Sequence, residues 1–195
     1  LTASARKKKT LANDVVAYKA ATTSFMNWMH TLCQGGVFHR EINALLQTIH
    51  DDKARGAEAI ATPYQLHDYM SRWTWPKQVA SGGHVFETGG FQASSSMVLS
   101  AAPVLSHFFR HVFPSGLYAV AVNSFLFCCL VIETVLAVGK GDVPIAEYSD
   151  RVLEYMPAHL DVYGDAWWVL KHHLTLHIAL QAEAFGFLFS VFALE

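Results

Sequence analysis

Apolar positions recur at helical spacing through the first part of the chain. Leu11, Val15, Tyr18, Phe25, Met29 and Leu32 fall three, four or seven residues apart, which predicts one amphipathic helix over 11–33, ended by Gly35-Gly36. Ile42, Leu45, Leu46 and Ile49 repeat the pattern over 38–50. A third start combines Thr62 as cap, Pro63 at the first helical position and Gln65 closing a capping box, with Leu66, Met70 and Trp73 following on one face. Trp75-Pro76 and Ser81-Gly82-Gly83 then break the pattern. Residues 1–88 therefore read as a polar, amphipathic-helical extension.

Beyond residue 88 the texture changes. Between Ser94 and Val112 the only charged residue is Arg110, between Gly116 and Val138 only Glu133, and between His172 and Leu194 only Glu183. About 20 predominantly apolar residues cross a bilayer core as a helix. The pattern predicts an all-α, polytopic membrane segment over 89–195 with three transmembrane helices at about 92–112, 116–138 and 167–193. Pro103 falls inside the first, where a membrane helix tolerates it, and Lys171 near the start of the last is placed to snorkel. Between the second and third spans, Ile145, Tyr148, Val152 and Tyr155 share a face, and Pro157 is expected to stop this short interfacial helix.

Composition sharpens the contrast. Apolar residues make up 52% and charged residues 15% of 195, well below the charge of an ordinary soluble domain, and mean hydropathy is +0.24. Residues 1–88 carry 10 Lys/Arg and 7 Asp/Glu, and residues 89–195 carry 4 and 9, so the front is polar and the back is not. A net charge of −2 gives nucleic-acid binding no support. Cys33, Cys128 and Cys129 make no disulfide framework, and the adjacent pair Cys128-Cys129, in an apolar run, reads as buried thiols. The first ten residues hold no apolar core and form no secretory signal; import into an organelle fits them.

Chemistry-bearing residues are few. His107/His111 and His173/His177 are each four apart, so each pair projects from one helix face, the spacing from which two facing helices ligate a metal or haem. The helical zinc motif places Glu beside its first His, where Phe108 and Leu174 stand here, so the four read as interface or core histidines and no metal ligand is assigned. Glu133 and Glu183 lie inside predicted spans and are candidate buried carboxylates, expected to face other helices, as packing or proton-relay groups. The run Arg6 to Lys9 is a solvated tail or a contact for anionic lipid. Ser94, Ser95, Ser96, Ser100, Ala101 and Ala102 form a small-residue patch suited to close helix approach. No nucleophile elbow, phosphate loop, paired-cysteine motif or dinucleotide fingerprint is present, and no catalytic residue is expected.

The stretch DVYGDAWWVLKHHLTLHI, Asp161 to Ile178, resembles the region before and within the sixth helix of subunit III of cytochrome c oxidase. Val162, Tyr163, Gly164, Trp167, Trp168, Val169, Leu176, His177 and Ile178 fall on that family's positions. Ser95 to Ala101 resembles the opening of its fourth helix, Arg110 and His111 that helix's exit, and Leu117 to Val138 stands where the fifth belongs. The resemblance covers residues 90–193 and describes a split or reduced form: Lys171 to Thr175 replace the family's Thr-Gly-Phe-His-Gly, and the third and seventh helices have no counterpart. It implies a mitochondrial inner-membrane subunit of a respiratory terminal oxidase with no redox cofactor of its own. Such a subunit packs against the catalytic subunit, binds phospholipid and supports proton uptake.

Three other readings stay open. Pro157, His159, Leu160, Val162 and Tyr163 resemble the segment preceding the first span in the haem- and quinone-binding membrane anchor of succinate dehydrogenase. A lineage-specific accessory subunit of another respiratory complex or of ATP synthase would have the same composition, and a soluble all-α protein is the further alternative.

Overall fold

The computed structural model describes residues 27–52, 65–75, 86, 90–114 and 116–185. Every regular element among them is helical. The run Arg6 to Lys9, most of the first predicted helix, and Thr62 and Pro63 lie outside the described residues. So do Ser81 to Gly83 and the last eight residues of the third predicted span.

The first described helix, α1, is Trp28–Leu32, with the Asn27 side chain accepting from the His30 N–H at 3.1 Å. It ends before Gly35-Gly36, and the chain turns there at once. A Cβ on Gly36 would lie 2.4 Å from the Thr31 carbonyl oxygen, so only glycine permits so tight a return. Helix α2, Val37–Asp51, follows directly and matches the predicted 38–50 element. It buries Val37, Phe38, Ile42, Leu45 and Ile49 and turns Arg40, Gln47 and His50 outward. Residues 65–71 form a further helical segment, burying Leu66 and Met70.

Helix α3, Ser95–His111, is capped by Ser94, whose Oγ accepts from the Met97 N–H. Pro103 sits inside it on the exposed side, as the sequence pattern allowed. Of the small-residue patch, Ala101 and Ala102 are buried while Ser94 and Ser96 face outward. The Cys129 thiol comes to 3.9 Å from the Ala102 carbonyl oxygen, so short side chains do let α3 and the next helix approach closely.

That next helix, α4 (Ala119–Lys140), is the axis of the fold: α2, α3 and α5 all pack on it. Twenty-two residues at 1.5 Å each make it about 33 Å long. Among the described residues it alone is long and apolar enough to cross a membrane, and 56% of its most apolar stretch is buried inside the chain. Helix α3, with 17 residues, and α6, with 16 described, are shorter.

Helix α5, Ile145–Tyr163, corrects the expected stop at Pro157. Proline removes the bond its N–H would donate to the carbonyl four residues back. Here that carbonyl belongs to exposed Leu153 and Pro157 is itself exposed, while buried Tyr155, Met156 and His159 hold both halves on α4. Helix α5 ends at Gly164, whose φ of +63° is a left-handed value that glycine adopts without strain. A 3-10 turn, Gly164–Trp167, leads into α6, Leu170–Phe185, which packs on α5 and α1. The third predicted span therefore begins as a turn and becomes helical only at Leu170.

One contiguous apolar core joins Phe38, Ile42 and Leu45 of α2 to Phe109, Phe125, Ile132, Tyr148 and Ile178. It runs across the expected boundary at residue 88, and α2 is part of the bundle.

Candidate functional site

One residue breaks the apolar face of α2. Glu41 lies one turn from Val37 and one from Leu45, and its side chain is fully buried. Removing a carboxylate from water costs several kcal/mol unless its lone pairs are met. Three side chains meet them. Ser124 Oγ of α4 donates to Oε1 at 2.6 Å, Tyr155 OH of α5 donates to Oε2 at 2.8 Å, and His159 Nδ1 of α5 lies 2.5 Å from the same oxygen. Tyr155 and His159 are four residues apart, so they reach one carboxylate only because α5 stays helical through Pro157.

The cluster extends to α6. The carboxylate accepts, so His159 carries its hydrogen on Nδ1 and turns Nε2 inward. His172 has the opposite arrangement: its Nδ1 accepts the Val169 backbone N–H at 3.1 Å, which leaves the hydrogen on Nε2. Val169 immediately precedes α6 and His172 is its third residue, so this bond plays the part of a capping box. The two imidazoles are fully buried with ring centres 4.4 Å apart, and neither Nε2 has a protein partner. Trp168 stacks on His172 at 4.9 Å, and Tyr163 lies 5.1 Å from His159 with its hydroxyl likewise unpartnered.

Burial, reinforced by Glu41, pushes the hydroxyls of Tyr155 and Tyr163 above their ordinary range, so both phenols keep their protons. Nearby, the buried Tyr148 hydroxyl donates to the Thr175 carbonyl at 3.1 Å, a second tie between α5 and α6. The arrangement can bind four helices through one carboxylate–imidazole network and hold a proton within it. A cleft of about 340 Å³ lined by Gly35, His39, Arg40, Asn43, Phe91 and Trp167, and another of about 320 Å³ near Tyr69 and Phe108, are formed by other residues.

The residues singled out in the sequence are distributed unevenly around this cluster. Val162, Tyr163 and Gly164 close α5, and Val169 supplies the N–H held by His172. His177 lies outside the cluster, with its Nε2 3.1 Å from that of His173. His107 and His111 are exposed, and His107 Nδ1 is 2.6 Å from the Tyr69 hydroxyl. Lys171 does not extend toward an interface: its ammonium donates to the carbonyls of His30 and Gln34 at 2.9 and 3.3 Å, closing the end of α1. Glu133 and Glu183 require a correction. Both are exposed on the chain itself, because each sits on the side of its helix turned away from the bundle. The buried carboxylate is Glu41. Its place on the Val37–Leu45 stripe was a usable signal, since a charged residue amid the apolar positions of a helix must find partners.

Cys33, Cys128 and Cys129 are free and buried, as the sequence predicted for the adjacent pair. Among the described residues no group of three or more His, Cys, Asp or Glu side chains is arranged to hold a metal ion. No family model matches the chain, and no curated protein or solved structure matches it.

Proposed function

We propose that this chain is a non-catalytic membrane subunit of a respiratory terminal oxidase, similar to subunit III of cytochrome c oxidase, in the mitochondrial inner membrane. Its three spans are α3, α4 and α6 with its apolar continuation. It packs against the catalytic subunit, binds phospholipid and supports proton uptake, with no catalytic residue and no redox cofactor of its own. The observation that carries this reading is α4: about 33 Å of apolar helix, matching a bilayer core of about 30 Å. Val120 on α4 and Leu170 on α6, 69% and 71% exposed, agree with surfaces covered by lipid or by a neighbouring subunit. The Glu41 network gives such a bundle a rigid polar tie where α2, α4, α5 and α6 meet.

Purification of the native assembly in mild detergent tests the assignment. Haem a and copper in the particle that carries this chain support it. A particle holding only flavin and iron–sulfur centres transfers it to the succinate dehydrogenase anchor.

A second reading, a soluble helical bundle, is favoured by one observation. Helix α2 packs on α4 yet turns Arg40, Gln47 and His50 outward, a face suited to water. In that reading α4 is a core helix, and the chain leaves membranes without detergent.

A further inference from the structure

The outer side of α6 carries chemistry that neither the Glu41 network nor the proposed assembly role uses. His173 and His177 stand one helical turn apart, and their Nε2 atoms converge to 3.1 Å with the rings at 76° to one another. Zinc binds imidazole nitrogen at about 2.0–2.1 Å, so two such ligands stand about 2.9 Å apart at a right angle and about 3.3 Å apart in a tetrahedral site. The observed separation lies between these limits, so both imidazoles reach one ion in the rotamers they already hold. His173 is exposed in the first turn of α6, at the end where the proposed span begins, so an ion reaches the pair from the membrane surface. The nearest cation along the helix, Lys171, is engaged with the carbonyls at the end of α1.

We propose that His173 and His177 chelate a divalent transition ion of the zinc class, with water in the remaining coordination positions. Two protein ligands and the absence of the helical Glu beside His173, where Leu174 stands, make this a binding site rather than a hydrolytic centre. Chelation needs both Nε2 lone pairs, so each ring must carry its hydrogen on Nδ1. His177 Nδ1 is buried and without a protein partner, which makes His177 the costlier ligand and keeps the affinity moderate. Magnesium, which prefers oxygen ligands, does not compete.

The test is a calorimetric titration of the full chain, purified in mild detergent, with zinc chloride at pH 7.5. The chain has eleven histidines, so the readout is the site lost from the stoichiometry on substitution. His173→Gln, at an exposed position, is expected to lower zinc affinity at this site at least tenfold without changing the melting temperature measured in chelator. His177→Gln is expected to do the same. The double variant His107→Gln/His111→Gln should leave the site intact. Zinc uptake that survives both single substitutions, or a wild-type chain with no saturable zinc site, would overturn the proposal.

Discussion

Glu41 is the residue on which most of the structure's polar chemistry converges. Its carboxylate is fully buried and holds Ser124, Tyr155 and His159 together. Removing the partner of a buried hydrogen-bonding group typically costs about 1–3 kcal/mol for each group left unsatisfied, and this carboxylate serves three. Glu41→Ala should therefore lower the thermal midpoint sharply, and Ser124→Ala, which removes one neutral donor, should cost only about 1–2 kcal/mol. A midpoint for Glu41→Ala within experimental error of wild type would mean that the network does not hold the helices. His39, two residues before Glu41, makes a separate pH prediction. Burial brings its pKa down to about 4, with Lys171 assisting and the Ala93 backbone opposing. The unfolded chain takes up this proton near pH 6.5, so between 6.5 and 4 it binds more protons than the folded chain. The contribution to stability is complete above pH 6.5 and declines as the pH falls to 4. His39→Gln should show a shallower loss of melting temperature over that interval, and an unchanged slope would contradict the assignment. Cys33 adds a third expectation. Burial raises its pKa to about 12, and all three thiols are buried, so none should react with a maleimide at neutral pH until the chain is denatured.

At the scale of the helices, the 3.6-residue period located α2, and a long apolar run nearly free of charge located α4, each to within a few positions. Pro157 misled for an equally local reason. A proline rule assumes that the lost hydrogen bond must be made, whereas here the orphaned Leu153 carbonyl faces outward and the packing of Tyr155 and His159 holds the helix. Pro157→Ala restores that bond and should stabilise the chain by about 1–3 kcal/mol in thermal unfolding, following intrinsic helix preference; a destabilised variant would mean that the proline shapes α5 in a way the packing needs. The Glu41 cluster was illegible for the opposite reason. Its hydrogen bonds join residues 83, 114 and 118 positions apart, and no local pattern encodes such a meeting. Glu133 and Glu183 drew attention because they interrupt apolar runs, but their helices turn them away from the core. Tyr163, Trp168 and Val169 among the family-motif positions touch the cluster, the first two by their rings and the third through its backbone N–H.

For the whole molecule, the question is what surrounds α4. Helices α2, α3 and α5 cover part of it, and Val120 together with the leucines of α6 leaves apolar surface for something outside the chain. In the proposed reading, lipid and a neighbouring membrane subunit cover that surface, and the same reading explains the scarcity of charge beyond residue 88. Washing native membranes with alkaline carbonate decides between this and a water-surrounded bundle, since it strips peripheral and soluble proteins while leaving spanning helices in place. The account predicts that the chain stays in the membrane pellet and comes away only with detergent. Its appearance in the carbonate supernatant would contradict the membrane reading, and with it the place in a terminal oxidase.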